Sequence, residues 1–111
     1  MKNFLLIYHS PAEATTQMAN FTPEEQAEGM KPWMAWKEKM GSRLVDLGTP
    51  MTGLCRMNPD GSEVSLSTEA SGYSIVQANS LDDAKLLLKG HPHLQWSDKA
   101  GIEIFECHAM N

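Results

Sequence analysis

The chemistry this sequence can offer rests on a few scattered side chains: His9, His91, His93, His108, Tyr8, Ser74, Asp46 and Lys37. No nucleophile elbow, P-loop, dinucleotide fingerprint or zinc-ligand spacing occurs among them. Proton transfer is the chemistry within reach, because imidazole changes charge near neutral pH. His9 ends the apolar run Phe4–Tyr8 and leads into a loop, where side chains meet ligands. It is either a general base or ligand donor, or a plain exposed loop histidine. His91 and His93 flank Pro92, which makes a rigid His-Pro-His unit just after an expected helix C-terminus. The helix dipole favours imidazolium there. Capping, substrate binding or proton transfer, and metal ligation with His9 as a third ligand all stay open; the expectation is no metal. His108 is expected to be solvated. Cys55 and Cys107 lack CxxC spacing and are read as two reduced thiols.

Charge narrows the partners. Nine basic against 14 acidic side chains give a net charge of -5, with no concentration of Lys and Arg. A phosphate-binding nucleic-acid module is excluded on that ground. With 41% hydrophobic and 21% charged residues the chain is globular rather than disordered. Phe4-Leu5-Leu6-Ile7 is far shorter than the ~20 residues of a membrane span and shorter than a signal-peptide core, so a cytoplasmic protein is expected. A length of 111 residues suits one domain, 1–111, burying roughly two thirds of its unfolded surface. Eight Met and three Trp point either to a Met-rich core or to a Met-lined pocket.

The elements that must position these side chains are legible in outline. Phe4–Tyr8 reads as a buried strand, and His9–Phe21 as a loop with a helical turn at Pro11–Met18. Thr22-Pro23-Glu24-Glu25 opens a helix by a capping box, with Pro at the first position and acids in the first turn. The helix is expected to run to about Leu47 and to stop at Gly48, with Pro32 as a place where it kinks or divides. Ala27, Met30, Trp33, Met34, Met40, Leu44 and Leu47 then share one broad face, with Gly41 allowing close approach to a sheet. Lys37 also falls on that face, either snorkelling to solvent or pointing into a pocket. Strands are expected at Thr49–Met57, Glu63–Thr68 and Tyr73–Ala78, with a turn at Asn58–Gly61. Ser80 caps a second helix, Leu81–Lys89, burying Leu81, Ala84, Leu87 and Leu88. Gly90 ends it, His91-Pro92-His93 forms an extended turn, and Ile102–Cys107 is the closing strand.

This β-α-β-(β)-β-α-β order predicts an α+β, ferredoxin-like βαββαβ domain with an antiparallel sheet and two helices on one face. The other face stays open, which predicts a homodimer.

Three stretches carry a resemblance to a known family: Met1–His9, Gly72–Ala84, and Gly90-His91-Pro92-His93-Leu94 with Gly101-Ile102-Glu103-Ile104. In their order and spacing they resemble the YCII-related family, also grouped with the DGPF-domain proteins, over nearly the full length. The resemblance implies a dimeric α+β barrel in which two protomers pack sheet to sheet and enclose pockets. It also implies an enzymatic role through a His–Asp pair. This sequence departs from the pattern. Its long helix carries Lys31, Trp33 and Lys37 but no His, with Asp46 near its end. Ser67-Thr68-Glu69-Ala70 stands in place of Asp-Gly-Pro-Phe. For catalysis to persist, His9 or the His91/His93 pair must replace the missing group.

The leading functional expectation is a cofactor-free enzyme of lyase or isomerase type on a small, partly apolar molecule. His9, His93 and His91 are the catalytic candidates. Tyr8, Lys37, Ser74 and Trp33 are the ligand-binding candidates. The alternatives are a non-catalytic ligand-binding or sensing module, or a structural dimer.

Overall fold

Backbone pairing decides where this chain changes element. The structure, a computed structural model, describes residues 1–11, 20–66 and 68–110. The helical turn expected at Pro11–Met18 therefore lies almost wholly outside the described residues. Strand β1 (Lys2–His9) alternates strictly: Phe4, Leu6 and Tyr8 are buried, and Leu5, Ile7 and His9 face the other way. Helix α1 (Pro23–Met40) opens on the expected capping box. Glu25 N–H donates to Thr22 Oγ1 at 3.2 Å, and Thr22 N–H donates to a Glu25 carboxylate oxygen at 3.1 Å. Pro32 lies inside α1 without dividing it.

The expected end of α1 is corrected. The helix stops at Met40, because Gly41 takes φ +56° and turns the chain. One 3₁₀ turn (Gly41–Arg43) follows, and Leu44–Asp46 is strand β2 rather than helix. Leu44 and Leu47 match helical spacing by chance, and a three-residue strand is too short to show its own alternation. Gly41 is thus a cap and not a point of close packing; a Cβ there would meet nothing within 4 Å.

Residues 49–57 are expected as one strand, but the structure divides them: Pro50 makes an isolated antiparallel bridge to Gly72, and Cys55–Met57 (β3) is a strand that pairs with Glu63–Ser65 (β4). The turn at Asn58–Gly61 closes as its composition demands, with Gly61 N–H donating to Asn58 O at 3.0 Å. Strand β5 (Ala70–Ala78) buries Gly72, Ser74, Val76 and Ala78. Helix α2 (Leu81–Leu87) is capped by Ser80 and buries Ala84; Leu88, just past its end, is also buried. Leu81, expected inside, is 47% exposed, at the first position of the helix where the core no longer covers the stripe. His91-Pro92-His93, expected as an extended turn, instead opens a short helix, α3 (Pro92–Trp96), with His91 as its N-cap. Strand β6 (Gly101–Cys107) closes the chain.

The four long-range strands form one antiparallel sheet in the order β2-β5-β1-β6, the ferredoxin-like order. Trp36 and Met40 of α1, with Ala84 and Leu88, pack on the inward parity of β1 and β5 around Phe4, Leu6 and Val76. Across the opposite face, Leu5 sits in register between Ile75 and Phe105. Among the described residues no helix is long and apolar enough to cross a membrane.

Gly48 fixes the sheet edge to its neighbour. It takes φ +79°, and a Cβ on it would lie 1.8 Å from the Tyr73 carbonyl oxygen. Gly48→Ala should therefore lower stability by about 2 kcal/mol or more. Urea unfolding at neutral pH measures this; an unchanged midpoint would contradict the close approach of residues 47–48 to β5.

Candidate functional site

The inward parity of β1 and β5 brings Tyr8 and Ser74 beneath α1. After α2, Gly90 turns the chain with φ +76°, and His91 becomes the N-cap of α3. Pro92 at the first helical position has no N–H to satisfy. The next free amide, His93 N–H, donates to His91 Nδ1 at 3.0 Å. That bond fixes the tautomer: in a neutral ring the proton must sit on Nε2. Nε2–H then donates to Tyr8 Oη at 3.2 Å. Tyr8 O–H donates to Ser74 Oγ at 2.7 Å, and Ser74 O–H donates to the Leu47 carbonyl at 2.6 Å. Each hydroxyl accepts one bond and donates one, so the chain of donors has a single direction and ends on the main chain. Among the described residues no buried side-chain polar atom lacks a partner.

Aromatic rings wall this relay. Trp33 meets Tyr8 edge-on at 5.1 Å and His91 at 4.9 Å, while the Trp36 ring lies 4.4 Å from His91. Trp36 Nε1–H donates to Leu87 O at 3.3 Å, which ties α1 to α2. His93 stacks at a tilt 5.0 Å from Tyr8, and its Nε2–H donates to the His9 carbonyl at 2.9 Å. The ring of His93 also leans on Trp96.

Burial sets the charges here. It pushes the Tyr8 hydroxyl up to about 12, against a smaller downward pull from the Ser74 bond. It lowers His91 to about 4, with help from the nearby His93. His93 is also lowered, chiefly by burial, although the carbonyls of His9 and Gly101 favour its charged form. The site is neutral at pH 7. The expectation of dipole-stabilised imidazolium at a helix C-terminus is thereby corrected: His91 caps the start of the next helix and is fully buried.

Tyr8, Ser74, His91, His93 and Trp33 come together; His9 and Lys37 do not join them. The His9 ring lies on the opposite sheet face, where its Nε2 bonds Glu103. Lys37 lines a groove along the exposed side of α1. Asp46 accepts from Tyr73 O–H at 3.2 Å and from Gly48 N–H at 2.9 Å. His108 is exposed beside Glu106. Cys55 and Cys107 are free and exposed. Sequence reasoning missed Trp36. Its signal was present: Trp33, Trp36 and Met40 follow i, i+3, i+7 spacing, a stripe distinct from Met30 and Met34.

Buried neutral imidazoles predict acid sensitivity. His91 is held near 4 in the fold against 6.5 outside it, so the unfolded state binds more protons between those values. The stabilising effect of neutral burial is complete above pH 6.5 and is lost as pH falls towards 4. Urea unfolding should weaken by on the order of 2 to 3 kcal/mol between pH 7.5 and 4.5 from this group. Replacing His91 by Phe should flatten that slope, whatever its effect on stability at pH 7.5.

No family model matches the chain, and no curated protein matches it. Among solved structures the chain is similar to 5-chloro-2-hydroxyhydroquinone dehydrochlorinase from Burkholderia phenoliruptrix AC1100, solved in complex with 2,5-dihydroxybenzoquinone. The likeness spans 93% of this chain and 91% of that one, at 15% identity and a TM-score of 0.49.

Proposed function

We propose that the protein is a YCII-like, cofactor-free enzyme of the cytoplasm, of lyase or isomerase type, acting on a small, partly apolar molecule. The observation that carries this reading is the directional chain from His91 through Tyr8 and Ser74 to Leu47 O, enclosed by tryptophans. Tyr8 is the group that gives or takes the proton. At rest it holds its proton, since burial disfavours a phenolate. When negative charge develops on a substrate oxygen, the proton passes to that oxygen, and His91 Nε2–H stabilises the phenolate left behind. His91 orients and supports Tyr8, because both its ring nitrogens are already engaged. His93, whose ring is held by the His9 carbonyl and faces Gly101, positions Tyr8 from the other side, Ser74 fixes the Tyr8 hydroxyl from beneath, and Trp33 supplies the wall on which the ligand rests. The working unit is a homodimer whose open sheet faces, with Leu5, Ile75 and Phe105, cover one another in a dimeric α+β barrel.

Among the described residues every buried polar side-chain atom is paired, which favours a second reading, a non-catalytic binding module whose histidines only cap backbone groups.

Solvent exchange separates the two. A panel of hydroxylated aromatics and 2-oxo acids is screened by quenching of tryptophan fluorescence, and each binder is then incubated with the protein in D₂O. Deuterium should enter a binder's acidic C–H position, and Tyr8→Phe should slow that entry on the order of 100-fold while quenching persists. Binding without any exchange by the unaltered protein would leave the binding module standing and remove the enzyme.

A further inference from the structure

Tyr8 cannot meet a ligand while its neighbours stay as they are. It is 4% exposed, its hydroxyl already accepts one bond and donates another, and the rings of Trp33, His91 and His93 press on it. An element must withdraw before anything reaches it, and the elements around it are held very differently. Strand β1 is paired along its length with β5 on one side and β6 on the other. Helix α1 sends Trp36 and Met40 into the core. Helix α3 has five residues and buries only His93. Its other large apolar side chains stay near the surface, Leu94 at 43% exposure and Trp96 at 38%. A segment with so little buried apolar surface opens at a lower free energy than the whole fold. The chain turns on either side of it: Gly90 takes φ +76°, and Ala100 N–H donates to Ser97 O at 3.2 Å.

Two bonds hold the inner side of α3 down. His93 N–H donates to His91 Nδ1, and the His93 ring donates to His9 O. His91 is anchored independently of α3. Its own N–H donates to Leu88 O at 3.0 Å, its Nε2–H donates to Tyr8, and Trp33 and Trp36 flank its ring. The helix can therefore swing about the His91–Pro92 junction while His91 stays in place. That motion lifts the His93 ring from the Tyr8 face it covers at 5.0 Å.

We propose that α3 is a lid over Tyr8, latched at its start by the His91 imidazole and released by acid. What the opening serves rests on the reading of Tyr8 as the proton-carrying group; the motion itself does not. His91 latches α3 only as an acceptor. A proton on Nδ1 sets one N–H against another and puts a cation against the free amides of a helix start. The bond from His93 to His9 O keeps its donor whether or not His93 is charged, so the acid response belongs to His91. The groups that face His91 are Tyr8 from β1, Trp33 and Trp36 from α1, the Leu88 carbonyl after α2, and His93 from α3; His9 adds its charge near His93. Among the described residues no carboxylate is bonded to either buried ring. Burial holds His91 down to about 4 while the lid is shut, and lifting α3 lets water and a proton reach Nδ1. The latch is thus fully engaged above the ordinary histidine value of 6.5 and fails progressively as pH falls towards 4.

Hydrogen exchange of the unaltered chain, followed amide by amide, tests this without any substrate. The His93 and Leu94 amides report on α3, since they donate to the His91 ring and carbonyl, and the Leu6 amide in the centre of β1 reports on the whole fold. Protection is taken relative to the unstructured rate at each pH. At pH 7.5 the two α3 amides should be at least about 30-fold less protected than Leu6, and low urea should speed exchange at Leu6 alone. Between pH 7.5 and pH 5 their protection should fall at least about tenfold, still without urea dependence. His91→Asn keeps a side-chain oxygen for the His93 amide but cannot titrate, and it should abolish that fall. Trp96→Ala removes the outer contact on His93 and should lower protection at His93 and Leu94 about threefold or more, with Leu6 unchanged. Exchange of the α3 amides only through the opening that releases Leu6, or a local opening indifferent to pH, would overturn the lid. Either result would leave the D₂O test of Tyr8 standing, and failure of that test would leave the measured motion untouched.

Discussion

A neutral imidazole carries one donor and one acceptor, and burying it obliges the fold to supply one of each. His91 is fully buried, and that obligation organises the helix side of the sheet. The acceptor is met by the first turn of α3, whose proline start leaves His93 N–H as the available amide. The donor is met by Tyr8, which must then find an acceptor of its own, and Ser74 passes the demand on to Leu47 O. Four segments distant in sequence are thereby held in one hydrogen-bonded line. The position of Leu47 depends in turn on the glycine after it, which alone can approach Tyr73 so closely.

The tryptophans make this arrangement dry. Trp33 and Trp36 lie on one helical stripe and contact His91 from two sides, so the polar line runs through an aromatic wall rather than beside solvent. Dryness is the reason Tyr8 and His91 are displaced in opposite directions on the pH scale while both stay uncharged. The same packing leaves α1 with a second apolar stripe, Ala27, Met30 and Met34, that the sheet does not reach.

Most of the fold was legible because the strong signals were local. Capping residues at Thr22 and Ser80, alternation along β1 and β5, and turn chemistry at Asn58–Gly61 each declare an element without reference to the rest of the chain. What was hidden depends on contacts far apart in sequence. Leu44–Asp46 is extended because β5 lies beside it, and no pattern in three residues announces that. Merging two helical stripes into one broad face hid Trp36, and it did not show that the groove Lys37 lines lies apart from the relay. In the candidate site, Tyr8, Ser74, Trp33 and both histidines were recognisable as reactive types, but their order in the relay was not. The direction of proton donation comes from His91 acting as an N-cap, a role invisible until α3 is seen to begin at Pro92.

His9 occupies both sides of this architecture at once. Its carbonyl receives the His93 ring on the helix side, while its own side chain engages Glu103 on the open face. The first contact belongs to the backbone and survives almost any replacement of the side chain. The second belongs to the imidazole and vanishes with it. Descendants of this chain are therefore free to rewrite the outer face at position 9 without disturbing the inner one. The two surfaces of the sheet can be inherited as separately variable traits, joined by a single carbonyl.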